Sequence, residues 1–277
     1  MQPLLIVHGG AGDIPQSRVQ GKLDGVRTAV KDGYKVLSRG GSALDAVEAA
    51  VVCMEMDENF NAGYGSVLNL RGEVEMEASI MRGADLNVGA VTLVKDFTHP
   101  ISIAHKVLTD SPHSLIGGEG AKLFALEMGG VGTVGAVAID ANGHIAVATS
   151  TGGMSGKVVG RIGDTPQIGS GTYADDHVGG VSTTGHGESI LKYCVAHAII
   201  KLMEGGQDAQ TATQNAINGM TVRLNNTAGA ITLSKHGDVG IHFSSKRMSW
   251  AYIKNDKLFY GIEQNQVLEE PFMKNMQ

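Results

Sequence analysis

Residues 134–151 constrain the fold more than any other stretch of the chain. Val134 to Ile139 and Ile145 to Thr149 alternate small and branched side chains, the pattern of strands buried on both faces, and Asn142-Gly143 lies between them. Asn-Gly is the preferred short hairpin turn because both positions adopt positive φ. Antiparallel pairing about that turn sets residues whose numbers sum to about 285 opposite one another, so Thr151 faces Thr133 or its neighbour. A threonine thus heads a buried strand, directly after Gly132, with a second hydroxyl across from it. Such a pair can simply stabilise a sheet. If the backbone were cut before Thr133, the new terminal amine could also activate the Thr133 hydroxyl for attack on an amide.

The rest of the chain supplies layers for that hairpin. Leu4-Leu5-Ile6-Val7 reads as a buried strand closed by the glycine-rich His8-Gly-Gly-Ala-Gly12. Val19, Leu23, Val26, Val30, Tyr34 and Leu37 repeat at helical spacing up to a Gly40-Gly41 stop. Ser42 and Asp45 then resemble an N-cap and first turn, with Leu44, Val47, Val51 and Met54 on one apolar face. Residues 57–65 form a loop; Val67–Leu70, Glu73–Ile80 and Val88–Val94 are expected strands, and residues 100–109 and 118–128 expected helices. A strand over Val178–Thr183 leads into a helix over 188–204 whose inner face carries Ile190, Leu191, Cys194, Ala198 and Leu202. A second hairpin turns at His236-Gly-Asp238, joining Ala230–Leu233 to Val239–Phe243. Blocks of helices and strands in this order point to one α/β domain with helices on both faces of mostly antiparallel sheet.

Composition removes several classes. The 277 residues are 42% hydrophobic with a net charge of -6 and show no cationic run, which argues against nucleic acid or an anionic membrane as partner. Two cysteines, Cys53 and Cys194, each in an apolar helical pattern, are expected to be reduced. No apolar run reaches the roughly 20 residues that span a bilayer, and Met1–Val7 lacks the features of a leader. A soluble, cytoplasmic protein is expected.

Three further clusters could carry chemistry. Arg161-Ile-Gly-Asp164 sets a guanidinium and a carboxylate in one turn, a charge complement for an α-amino acid or a plain surface ion pair. Thr184 and Gly185, between a strand and a helix, could form an oxyanion hole or only a tight turn. His186 is a weaker candidate base. Asp175-Asp176-His177 lacks partner ligands at metal spacing and reads as a solvated loop.

Taken together, His8-Gly-Gly-Ala-Gly, Phe60-Asn-Ala-Gly63, Ser111-Pro-His113, Gly132-Thr-Val-Gly-Ala-Val-Ala138, Ala148-Thr-Ser-Thr-Gly-Gly153, Gly160-Arg-Ile-Gly-Asp164 and Thr184-Gly-His-Gly-Glu188 resemble the plant-type L-asparaginase and isoaspartyl peptidase family of N-terminal-nucleophile hydrolases. The resemblance implies an αββα sandwich spanning 1–277, autocleavage between Gly132 and Thr133, and an α chain (1–132) and β chain (133–277) that remain together, commonly as a dimer of such pairs. It implies Thr133 as nucleophile, Thr151 as its hydroxyl neighbour, and Thr184 with Gly185 as the oxyanion hole. Arg161 would take the substrate α-carboxylate, Asp164 its α-amine, and Gly187 and Asn61 would border the pocket. It implies no cofactor for the chemistry, but a structural sodium ion held by backbone carbonyls within Met54, Glu55, Asp57, Phe60, Ala62 and Tyr64. The expected reaction is hydrolysis of the side-chain amide of L-asparagine and of β-aspartyl peptides; glycosylasparaginase, or an uncleaved inactive scaffold of this fold, are the alternatives. One departure stands out: only Gly129-Gly-Val-Gly132 precedes Thr133, where family members usually carry a long variable linker.

Overall fold

The computed structural model describes residues 1–128 and 134–272. Gly132 and Thr133, and with them the expected cleavage point, lie outside the described residues. The first half runs β1 (Leu4–Gly12), α1 (Gln16–Ser38), α2 (Ala43–Glu55), β2 (Met76–Arg82), β3 (Val88–Val94), α3 (Pro100–Asp110), β4 (Leu115–Gly117) and α4 (Gly118–Met128). The second half begins with the hairpin β5 (Gly135–Ile139) and β6 (Ile145–Thr151), then β7 (Thr172–Asp175), β8 (Gly179–Gly185), α5 (Gly187–Tyr193), α6 (Val195–Glu204) and α7 (Ala209–Leu224). It closes with β9 (Ala228–Ser234), β10 (Val239–Phe243), β11 (Arg247–Lys254), β12 (Lys257–Gly261) and β13 (Leu268–Pro271).

These strands form two stacked sheets, ordered β13-β12-β11-β1-β5-β6-β2-β3-β4 and β10-β9-β8-β7. All pairings are antiparallel except β3 with β4. The hairpin explains why its sequence alternates small with branched residues. Ala136, Ala138, Ala146 and Ala148 face the layer of α1 to α4, where their small size lets helices approach, while Val137, Ile139, Ile145 and Val147 fill the space between the sheets. Leu5 and Val7 join the first cluster and Leu4 and Ile6 the second, so the Leu4–Val7 run is apolar on both faces because both are covered. Helices α6 and α7 cover the outer face of the small sheet through Ile199, Ile200, Ala216, Ile217 and Met220. The result is the αββα sandwich.

Several local expectations need correction. Val67–Leu70 is not a strand: Leu68 and Leu70 are exposed, and the Asn69 side chain accepts the N–H groups of Arg71 and Glu73 to close a turn. The strand expected from Glu73 therefore starts only at Met76. The helix expected over 188–204 is two helices, because Cys194 adopts a left-handed conformation (φ 51°) between α5 and α6. That break turns Cys194 out to solvent instead of onto the inner face, and both cysteines are free. No helix among the described residues is long and apolar enough to cross a membrane.

Candidate active site

A cavity of about 430 Å³ opens where β1, β6 and β8 end, and Val134, the residue bonded to Thr133, forms part of its wall. Paired positions in β5 and β6 sum to 284, as do 133 and 151. The hairpin is one residue off the register of a two-residue Asn142-Gly143 turn: Asp140 N donates to His144 O, only Gly143 of the two has positive φ, and the loop is the three residues 141–143. Thr151, Thr184, Gly185, Arg161, Asp164, Gly187 and Asn61 all line this one cavity.

The hydroxyls are oriented by backbone donors. Thr184 Oγ1 accepts the Ala11 N–H at 3.1 Å, and Thr151 Oγ1 accepts the Gly153 N–H at 2.9 Å. With a lone pair engaged from behind, each hydroxyl keeps its proton for an acceptor in the cavity. Gly185 has φ 135°, and a Cβ there would sit 2.6 Å from the Ala228 Cα, so only glycine permits β8 to end in this way. Asn61 ties its loop to the end of β6: Nδ2 donates to Gly153 O at 2.6 Å, Oδ1 accepts from Val67 N, and its carbonyl accepts from Gly152 N. One amide N–H of Asn61 is left over.

The charged wall is built from more residues than the sequence pattern named. Glu188 grips Arg161 through Nε and Nη2 at 2.9 and 3.0 Å, which fixes the guanidinium plane and leaves three of its five N–H groups for a second anion. Asp164 is buried and accepts a hydrogen bond from Thr183 Oγ1 at 3.2 Å. Burial, together with the nearby Glu77 carboxylate, pushes its pKa up to about 7, against the opposing pull of Thr183 and Arg161. A Cβ on Gly187 would lie 2.6 Å from Arg161 Nη2 and 2.9 Å from Asp164 Oδ1, so glycine is what lets a helix start against this pair. Behind them Glu77, fully buried on β2, accepts the Gly163 N–H with both oxygens at 3.0 Å and holds the 161–164 turn in place. Burial raises the Glu77 carboxyl above its ordinary range, and the ammonium of Lys157 opposes that shift. A charged residue inside the apolar Met76–Ile80 strand was the available signal for Glu77. Glu188 stood inside a quoted motif without a role.

The other wall is polar beneath an apolar surface. His8 Nδ1 accepts from Gly10 N at 3.3 Å, which leaves Nε2 to donate to Ser182 Oγ at 2.9 Å. Ser182 continues to Thr149 at 2.8 Å, Thr149 to Thr172 at 2.7 Å, and Thr172 to Ser79 at 2.8 Å, a buried row of hydroxyls that joins the two sheets. Burial, with Lys22 close by, lowers the His8 pKa to about 3, so this imidazole stays neutral and structural. Lys22, on the inner face of α1, donates to Gly9 O at 2.7 Å and sits 4.8 Å from the centre of the Phe60 ring. Burial, and next Arg18, bring its pKa down to about 8, with Asp57 opposing. Its position four residues before Val26 on the core-facing stripe was the sequence signal. His186 caps the approach to α5 and pairs with Ser189 Oγ at 3.0 Å.

Carbonyls from the end of α2 onward lie close against Gly63 and Gly65. A Cβ on Gly65 would lie 2.1 Å from Phe60 O and 2.9 Å from Glu58 O, and one on Gly63 would lie 2.5 Å from Glu55 O. The carbonyls of Asp57, Phe60 and Ala62 each accept one backbone N–H and keep a second lone pair. An all-oxygen, backbone-rich donor set of this kind suits a hard cation. Among the described residues no group of three or more His, Cys, Asp or Glu could hold a metal ion. Asp176, in the solvated 175–177 loop, instead accepts from Ile145 N and pairs with His144.

Comparison with known proteins identifies the family. The asparaginase family profile matches residues 1–131 and again 129–262, so the two matched parts meet just before Thr133. A probable isoaspartyl peptidase/L-asparaginase of Drosophila melanogaster is 45% identical over 326 aligned positions, covering 98% of each chain. The isoaspartyl peptidase/L-asparaginase of Xenopus laevis is 44% identical over 295 positions, covering 95% of this chain and 96% of its own. The human protein of that name is 43% identical over 298 positions, with coverage of 95% and 97%. With both halves matched and such identity along nearly its whole length, the chain belongs to the asparaginase family.

Proposed function

We propose that this protein hydrolyses the side-chain amide of L-asparagine and of β-aspartyl peptides through Thr133, after cleavage of the Gly132–Thr133 bond. The observation that carries the reading is one cavity that joins Val134, two oriented threonine hydroxyls and an Arg-Asp pair matched to an α-amino acid. Arg161 pairs with the substrate α-carboxylate and ionised Asp164 with its α-ammonium, which fixes the side-chain carbonyl near the start of β5. The terminal amine of Thr133, with an ordinary pKa of roughly 7.7 to 8.0, takes the hydroxyl proton as the oxygen attacks the carbonyl carbon. Negative charge collects on the carbonyl oxygen, where the Thr184 hydroxyl and the Gly185 N–H donate. The protonated amine returns its proton to the departing nitrogen, so ammonia or a peptide α-amine leaves and an ester to Thr133 remains. Water then adds to that ester with the same amine as base, and aspartate departs. Thr151 donates to the Thr133 oxygen and holds its rotamer.

The remaining parts of the reading are a dimer of αβ pairs in the cytoplasm and a sodium ion on the 54–64 carbonyls, the residues Met54, Glu55, Asp57, Phe60, Ala62 and Tyr64. That cation would supply rigidity to the loop through which Asn61 grips the end of β6.

Intact mass and product assays test the whole. Fragments meeting at Gly132/Thr133, with aspartate released from both asparagine and a β-aspartyl dipeptide, are expected; an unbroken chain after prolonged incubation overturns the reading. Thr184→Val is expected to lower kcat by about 10²- to 10³-fold with little change in KM, because an oxyanion donor acts in the transition state. A change confined to KM would remove Thr184 from that role.

A further inference from the structure

The Arg161–Asp164 turn accounts for one end of a β-aspartyl substrate, and the sheet order indicates where the other end goes. That turn is bonded to Glu77 on β2, whereas Lys22 is bonded to Gly9 on β1, and the large sheet runs β2-β6-β5-β1. The strands that anchor Arg161 and Lys22, β2 and β1, therefore lie on opposite flanks of β5, three strand spacings of about 4.8 Å apart. A substrate held by its α-carbon at the Arg161 flank, with its side-chain carbonyl at the head of β5, directs its leaving nitrogen toward β1 and Lys22.

Lys22 is unusual for a lysine. It is only 8% exposed, yet it lines the cavity. Its Nζ donates to the neutral Gly9 carbonyl and lies against the Phe60 ring, and it enters no ion pair within 4 Å with a carboxylate of the described residues. An ammonium has three N–H donors, so two remain for a ligand. Asp57 acts on this ammonium only from a distance; a desolvated cation with no bonded carboxylate is costly, and an incoming anion lowers that cost.

We infer that Lys22 binds the α-carboxylate of the leaving residue, and so makes this site selective for β-aspartyl dipeptides with a free carboxyl terminus. The inference rests on the hydrolase reading above. In a dipeptide the leaving α-amine carries a carboxylate on the adjacent carbon; ammonia from asparagine carries none, and a longer peptide presents a neutral amide there. Lys22 thus separates substrates that the Arg161 flank cannot tell apart.

The test compares β-aspartyl-leucine with β-aspartyl-leucinamide on the processed enzyme. The wild type is expected to favour the free acid by about 10- to 100-fold in kcat/KM, the worth of a hydrogen-bonded charge. Lys22→Met is expected to bring that ratio near one, and Lys22→Arg to retain it. A wild type indifferent to the amide, or a Lys22→Met enzyme that keeps the preference, overturns the proposal. Inhibition of asparagine turnover by leucine against leucinamide needs no variant: stronger inhibition by leucine supports the site, and equal inhibition overturns it. Failure of the processed wild type to hydrolyse asparagine as well as both peptides would instead bring down the hydrolase reading itself.

Discussion

Thr133→Ala is expected to stay a single chain and to lose amide hydrolysis by at least about 10⁴-fold, the scale on which removal of a nucleophile is felt in hydrolases that act through one. Both losses have one origin, the hydroxyl oxygen. In the proposed mechanism that oxygen attacks the carbonyl of Gly132 before cleavage and the substrate after it, and only then does the nitrogen become an amine able to take its proton. Thr133→Ser keeps the oxygen and is expected to retain cleavage and turnover at reduced rates, which separates the chemistry from folding. The measurements are intact mass over days and ammonia released from asparagine. Cleavage of the alanine variant at Gly132/133, or ammonia release at a rate near that of the wild type, would refute the assignment. The short Gly129–Gly132 segment makes the mass measurement informative, since the two profile matches meet there while relatives align over more positions than this chain has residues.

What the sequence made legible were features with a local cause. The β5–β6 hairpin follows from Asn142-Gly143 and from alternation, and its register came within one residue of that observed. Ser42 caps α2 by accepting from Asp45 N, as its spacing implied. Features set by distant partners were not readable. Helix α7, with a weakly segregated sequence of threonines, glutamines and alanines, is defined by the small sheet that it covers, and β11 to β13 by pairing outward from β1. The same division runs through the site. Arg161 and Asp164 share a turn and could be recognised together, but Glu188 and Glu77 reach them from α5 and β2 and are known only from the fold. Lys22 shares no local motif with Gly9; thirteen positions apart, they meet because α1 folds back onto β1.

Asp164→Asn is expected to raise KM for asparagine, lower kcat/KM by about 10²- to 10³-fold, and alter the pH profile. The magnitude is that of removing one member of a buried ion pair, about 3–5 kcal/mol, with part recovered because asparagine still accepts a hydrogen bond from the ammonium. The sign of the pH effect follows from burial. Asp164 has its pKa pushed up to about 7, so acid neutralises it well before an ordinary carboxylate and would remove the proposed partner of the substrate ammonium. In the wild type, kcat/KM should therefore rise with pH through about 7, on top of the rise from deprotonation of the Thr133 amine, and Asp164→Asn should lose the first component and keep the second. Stability moves the other way. A raised carboxyl pKa means that the folded protein binds this proton more tightly than the unfolded chain, so ionised Asp164 costs stability above pH 7, and the cost vanishes as pH falls below the unfolded value of about 3.9. Asparagine carries no such cost, and the variant should unfold at pH 8 no more readily than the wild type. A lower midpoint at pH 8, or a pH profile of kcat/KM unchanged from the wild type, would mean that Asp164 holds the turn and does not hold the substrate.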